Sequence, residues 1–127
     1  MKKSVLVCDD DSSLLRLLAD ILDSAGFSVE TARDGIEALS KAIKSQPNYY
    51  DLILVDHLMP GLDGLGLIKE LRECGIPSKI IVLSGNLDDE LEAAFKQMDL
   101  AKVLAKPSGI TEVAECATAL FSDSPCG

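Results

Sequence analysis

The sequence predicts an α/β fold: a parallel sheet with helices on both faces. Three observations carry that expectation. Five short apolar runs are spread along the chain, and each ends in acidic, polar or turn-forming residues. Each run is followed by a stretch whose apolar residues recur at helical spacing. The connections between them are short, with no internal repeat and no linker, so strand and helix alternate five times within one domain.

Residues 4–8, Ser-Val-Leu-Val-Cys, read as the first buried strand. Asp9, Asp10, Asp11 and Ser12 follow, and an acid or hydroxyl in this cluster suits a helix N-terminus. Leu14, Leu18, Ile21, Leu22 and Ala25 then mark the first helix, closed by Gly26. Residues 27–31 form a second strand, and Asp34-Gly35 a turn. Ile36, Leu39 and Ile43 mark the apolar stripe of a second helix that ends before Pro47. The third strand, residues 52–55, is four unbroken apolar residues running straight into Asp56, as suits a strand covered on both faces. Leu65, Ile68 and Leu71 mark a third helix, stopped by Gly75 and Pro77. Residues 79–83 form a fourth strand, closed by Ser84-Gly85-Asn86. Leu87, Leu91, Ala94, Phe95 and Met98 give a fourth helix, and residues 101–104 a fifth strand ending at Lys106-Pro107. Ile110, Val113, Ala114, Ala117, Leu120 and Phe121 give the last helix, with Ser108 as its cap and residues 122–127 as a polar tail.

With 127 residues, 47% of them apolar, the chain can bury a substantial core. Its net charge of −9 and lack of a basic block argue against direct nucleic-acid binding, which depends on phosphate neutralisation. Cys8, Cys74, Cys116 and Cys126 show no paired spacing, so neither a disulfide framework nor a structural zinc site is expected. Cys8 reads as a small buried hydrophobe. The apolar run after Met1-Lys2-Lys3 is too short for a signal peptide or a membrane span, and a cytoplasmic location with no membrane partner is expected.

The ends of the first, third, fourth and fifth strands carry Asp9 and Asp10, Asp56, Ser84, and Lys106. If those strands are neighbours, the residues share one crevice at the carboxyl edge of the sheet, where open α/β sheets bind ligands. Clustered carboxylates repel, and a hard cation relieves the repulsion. Mg²⁺ takes few protein carboxylates, keeps waters and accepts phosphate oxygens. A carboxylate can act as a nucleophile toward phosphorus, and a lysine can stabilise the charge that spreads over the transferred group.

Four segments, in this order and spacing, resemble the receiver domain of two-component response regulators: Val5-Leu6-Val7-Cys8-Asp9-Asp10-Asp11, the run from Asp56 to Gly64, Leu83-Ser84-Gly85, and Lys106-Pro107. The resemblance covers residues 4–121 and implies one receiver domain over 1–127 with a flavodoxin-like (βα)5 sheet of order 2-1-3-4-5. It implies that Asp56 is the phosphoacceptor, charged by the phosphohistidine of a histidine kinase or histidine phosphotransfer protein. It implies Mg²⁺ held directly by Asp10 and Asp56, by Asp9 through water, and by the backbone carbonyl of Leu58. Ser84 is the implied switch hydroxyl and Lys106 the implied phosphate-pairing lysine. The implied output is altered protein binding through the fourth helix, fifth strand and fifth helix, by a monomer or a phosphorylation-dependent dimer. No enzyme activity is expected beyond assistance of its own aspartyl phosphorylation and dephosphorylation.

The sequence departs from that pattern at Val103, where such proteins usually carry Tyr or Phe, which puts an aromatic rotamer switch in doubt. Asp99 replaces a common Gly, and Ser108 a common large apolar residue. His57 reads as a loop residue rather than a ligand. Two rival functions share parts of the site. An aspartate-nucleophile phosphatase of the haloacid-dehalogenase type wants a second acid two residues after its nucleophile, where this chain has Leu58. A pseudo-receiver used only for binding is marked by loss of an acid or the lysine, and this chain retains them all.

Overall fold

The computed structural model describes residues 3–44, 49–56, 63–84, 89–97, 100, 102–105 and 112–121. The elements are β1 (Ser4–Cys8), α1 (Ser12–Ser24), β2 (Ser28–Ala32), α2 (Gly35–Lys44), β3 (Leu52–Asp56), α3 (Gly64–Glu73), β4 (Lys79–Ser84), α4 (Asp89–Lys96), β5 (Lys102–Ala105) and α5 (Val113–Leu120). The five strands form one sheet of order β2-β1-β3-β4-β5, and all four neighbouring pairs are parallel. This is the doubly wound, flavodoxin-like arrangement.

The sheet separates two apolar layers. Leu6, Cys8, Ile53, Val55, Ile80 and Val82 face α2, α3 and α4, which contribute Ala38, Ala42, Leu67, Ile68, Leu71 and Phe95. Val5, Val7, Leu52, Leu54, Ile81 and Leu83 face α1 and α5, which contribute Leu15, Leu18, Leu22, Val113 and Ala117. Alternate residues of each central strand thus enter opposite layers, which is why these strands read as unbroken apolar runs.

Local chemistry sets where the helices begin and end. Asp11 caps α1, its carboxylate accepting from the backbone N–H of Ser13 at 3.0 Å and of Leu14 at 3.3 Å. Asp63 caps α3 by accepting from Gly66 N–H at 2.9 Å. At the far end of α1 the N–H of Phe27 reaches Leu22 O and that of Gly26 reaches Asp23 O, a Schellman closure that needs the left-handed backbone of Gly26 at φ +101°. Gly75, at φ +77°, closes α3 in the same way, with Ile76 N–H on Leu71 O and Gly75 N–H on Arg72 O.

Three sequence expectations need correction. Phe27 belongs to the turn closing α1, so β2 starts at Ser28 and runs to Ala32. The fifth strand is likewise one residue later, at Lys102–Ala105. The stripe Ile36, Leu39 and Ile43 is not the buried face of α2: Ile36 is 63% and Ile43 51% exposed, and Leu39 is only partly buried. The inward residues are Gly35, Ala38 and Ala42. Small side chains let α2 lie close to β1, β2 and α3, and close approach takes precedence over apolar volume here. Leu87, Met98, Ser108 and Ile110 lie outside the described residues.

Candidate acidic metal site

The site forms where β1 and β3 end side by side. Cys8 pairs with Val55, so the next residues along these strands, Asp9 and Asp56, emerge together at the carboxyl edge of the sheet. Strand alternation puts both on the face of Val7 and Leu54. Both are buried, Asp9 at 0% and Asp56 at 5% exposure, whereas Asp10 is exposed. Ligand oxygens of Asp9, Asp10 and Asp56 lie within 4.8 Å of one another.

Asp9 is held at both its backbone and its side chain. Its N–H donates to Ala32 O at 3.1 Å, extending the β1–β2 ladder by one residue. Its Oδ1 accepts from Asp11 N–H at 2.9 Å. Asp11 itself faces the helix start as the α1 cap, so the three consecutive acids divide between site and cap. Ser84 is the last residue of β4, one position beyond the partner of Asp56, and is buried at 1% exposure. Ser84 pairs with Ala105, the residue preceding Lys106 in the chain. Lys106, Leu58 and His57 lie outside the described residues.

The donor set suits Mg²⁺. An octahedral ion with ligands at about 2.1 Å sets neighbouring oxygens about 3 Å apart and opposite ones about 4.2 Å apart. Carboxylate oxygens within 4.8 Å of one another need only small adjustments, or one intervening water, to share such an ion. Hard oxygen donors match it chemically, and two buried acids with oxygens within 4.8 Å of each other call for positive charge. Cys8, though next to Asp9, is not a donor: burial, and then the charge of Asp9, push its thiol far above the ordinary range, so it stays protonated. Cys8, Cys74 and Cys116 are free thiols, and Cys126 lies outside the described residues. Among the described residues no helix is long and apolar enough to cross a membrane.

Fold and site together define an open α/β domain with an acidic crevice between β1 and β3, where the strand order reverses direction. The chain belongs to the response regulator receiver domain family, whose model matches residues 5–118. It is 40% identical over 114 residues to the alkaline phosphatase synthesis transcriptional regulatory protein PhoP of Bacillus subtilis, covering 89% of this chain and 46% of that protein. The receiver domain of a Francisella response regulator superposes with a TM-score of 0.85 at 31% identity, covering 94% of this chain and 97% of the other. A CheX–CheY–BeF3–Mg²⁺ complex from Borrelia burgdorferi gives a TM-score of 0.85 at 25% identity, covering 95% of this chain and 90% of the matched chain. The chain spans less than half the length of the curated relatives it matches.

Proposed function

We propose that this receiver domain is switched by Mg²⁺-dependent phosphorylation of Asp56, with the phosphohistidine of a histidine kinase or histidine phosphotransfer protein as donor. The observation that carries the proposal is the convergence of Asp9, Asp10 and Asp56 oxygens within 4.8 Å at the mouth of the sheet. A Mg²⁺ ion there supplies neutralisation of the acids and of the incoming phosphoryl oxygens. Asp10 and Asp56 would hold it directly and Asp9 through water, with the backbone carbonyl of Leu58 as the further protein ligand that the family resemblance implies. One Asp56 oxygen attacks phosphorus, forming the acyl phosphate P–O bond as the P–N bond to the donor imidazole breaks. The bonding pair returns to the histidine nitrogen. Ser84, one position beyond the strand partner of Asp56, donates its hydroxyl hydrogen to a phosphoryl oxygen, while the Lys106 ammonium pairs with another. Removing bulk water from the buried Asp56 strengthens these contacts.

The consequence of phosphorylation is a shift between two conformations with different affinities for a protein partner, through the face formed by α4, β5 and α5. A net charge of −9 makes a protein partner a better fit for this domain than nucleic acid. PhoP of Bacillus subtilis, which this chain resembles over 46% of its length, is named a transcriptional regulatory protein. Intact mass after incubation with acetyl phosphate and Mg²⁺ tests the assignment. Wild type gains one phosphoryl group, and neither EDTA-treated protein nor Asp56→Asn does. An undiminished adduct on Asp56→Asn rules out the acceptor, and an undiminished adduct in EDTA rules out the metal requirement.

A further inference from the structure

Asp9 reaches the acidic site on a backbone anchored by the corner between β2 and α2, and that corner is fastened by side chains of α2. Asp9 N–H donates to Ala32 O at 3.1 Å. The residue before Ala32, Thr31, accepts at its carbonyl from the Lys41 ammonium, which reaches back from the last turn of α2. The residue after it, Arg33, donates its N–H to Glu37 Oε1 at 2.9 Å. Asp34 Oδ1 accepts from Glu37 N–H at 2.7 Å and caps the start of α2, while the Glu37 carboxylate reaches back to Arg33, one residue beyond the partner a capping box would use. Thr31, Arg33 and Asp34 are thus held by Lys41 and Glu37, and the Ala32 carbonyl in their midst takes the amide of Asp9.

We propose that Lys41 is a positioning residue for the metal site: by holding the β2–α2 corner through Thr31 O, it keeps the Ala32 carbonyl on the Asp9 amide and sets Mg²⁺ affinity without touching the ion. The inference rests on the reading that Asp9, Asp10 and Asp56 hold Mg²⁺. Lys41 is partly buried, so its bond to Thr31 O is shielded from competing water. The acceptor, Asp56, sits on β3, which is fastened to β1 and β4 rather than to this corner. Loosening the corner therefore alters metal binding and leaves phosphoryl transfer at saturating metal intact. Electrostatics alone makes the opposite prediction, because deleting a positive charge from the domain strengthens the attraction of its acids for Mg²⁺.

Isothermal titration of Mg²⁺ into wild type, Lys41→Met, Lys41→Gln and Lys41→Arg separates these cases, with Ile81→Val as a variant that loses core packing away from the corner. Removing a partner that orients a ligand typically weakens metal binding by about 10- to 100-fold; Lys41 acts one step further out, so Lys41→Met and Lys41→Gln are expected to bind Mg²⁺ roughly 3- to 10-fold more weakly. Lys41→Arg, which can still donate to Thr31 O, stays close to wild type, as does Ile81→Val. In acetyl phosphate reactions the Mg²⁺ concentration for half-maximal rate rises with the dissociation constant, while the rate at saturating Mg²⁺ is unchanged. Equal or tighter binding by Lys41→Met and Lys41→Gln overturns this inference alone. So does weakening of the same size in Ile81→Val. Wild type that binds no Mg²⁺ overturns the metal reading and this inference with it.

Discussion

Replacing Asp9 by Asn tests whether the acids are a liability that a cation relieves. The change is nearly isosteric, and the Asn carbonyl can still accept from Asp11 N–H as Oδ1 does now. What it removes is one of three negative charges whose ligand oxygens lie within 4.8 Å of one another. Two unit charges at 4.8 Å repel by about 3.5 kcal/mol at an effective dielectric constant of 20 and by about 0.9 kcal/mol in water. Asp10 is exposed, so its share falls near the lower figure; Asp9 and Asp56 are buried, so theirs falls toward the upper. The expected result in EDTA is a variant about 1–3 kcal/mol more stable than wild type. In urea this moves the unfolding midpoint up by roughly 1 M. Mg²⁺ then narrows or reverses that difference, because wild type gains about 2.7 kcal/mol at 100 times its dissociation constant while the variant binds less and gains less. Urea titrations of both proteins, with EDTA and with Mg²⁺, read all four quantities. An Asn variant no more stable in EDTA, or one that Mg²⁺ stabilises as much as wild type, refutes the reasoning.

The orientation of α2 makes a paired prediction. Ile36→Lys, on the exposed side, is expected to change stability by no more than about 0.5 kcal/mol, whereas Ala42→Leu, on the packed side, costs about 1–3 kcal/mol through overpacking; comparable losses from both, read by urea unfolding, would contradict the facing. Deleting the buried ring with Phe95→Ala, where the side chain is 1% exposed, is expected to cost about 3–5 kcal/mol, and a cost under about 1 kcal/mol would remove Phe95 from the core. Alkaline pH destabilises the fold. Burial and then the charge of Asp9 raise the Cys8 thiol above its ordinary value of 9.0, and burial and then the hydrogen bond to Glu30 raise the Tyr50 phenol above 10.0. The unfolded chain releases these protons first, so the stability they contribute is fully present below pH 9 and is lost progressively as pH rises beyond it. Denaturation midpoints at pH 7, 9 and 10.5 follow this fall, Cys8→Val makes it shallower, and a flat or rising profile contradicts it.

The sheet was legible because its central strands are buried on both faces: β1, β3 and β4 read as unbroken apolar runs. The acids at their ends were legible for a related reason, since polar residues directly after such runs must emerge at the sheet edge. The facing of α2 was not legible, because periodicity ranks Ile36 and Ile43 above alanine, while the distance of closest approach to the sheet appears only in three dimensions. The start of β2 was misplaced because Phe27 is apolar, yet its role is to close α1 by bonding to Leu22 O. The support given to Asp9 by Ala32 lay beyond sequence reasoning altogether, since it joins residues 23 apart through a backbone bond. The spacing of Asp34 and Glu37 was a visible signal that the corner is built.

Carboxylates from two adjacent strands are proposed to share one divalent cation. A crystal of the wild-type domain soaked in Mn²⁺, a scatterer with similar oxygen preference, tests this through the anomalous difference map. A single strong peak is expected between β1 and β3, about 2.2 Å from an oxygen of Asp10 and one of Asp56, with Asp9 reached directly or through a water. A map with no peak at these acids, or with its strongest peak elsewhere on the acidic surface, contradicts it.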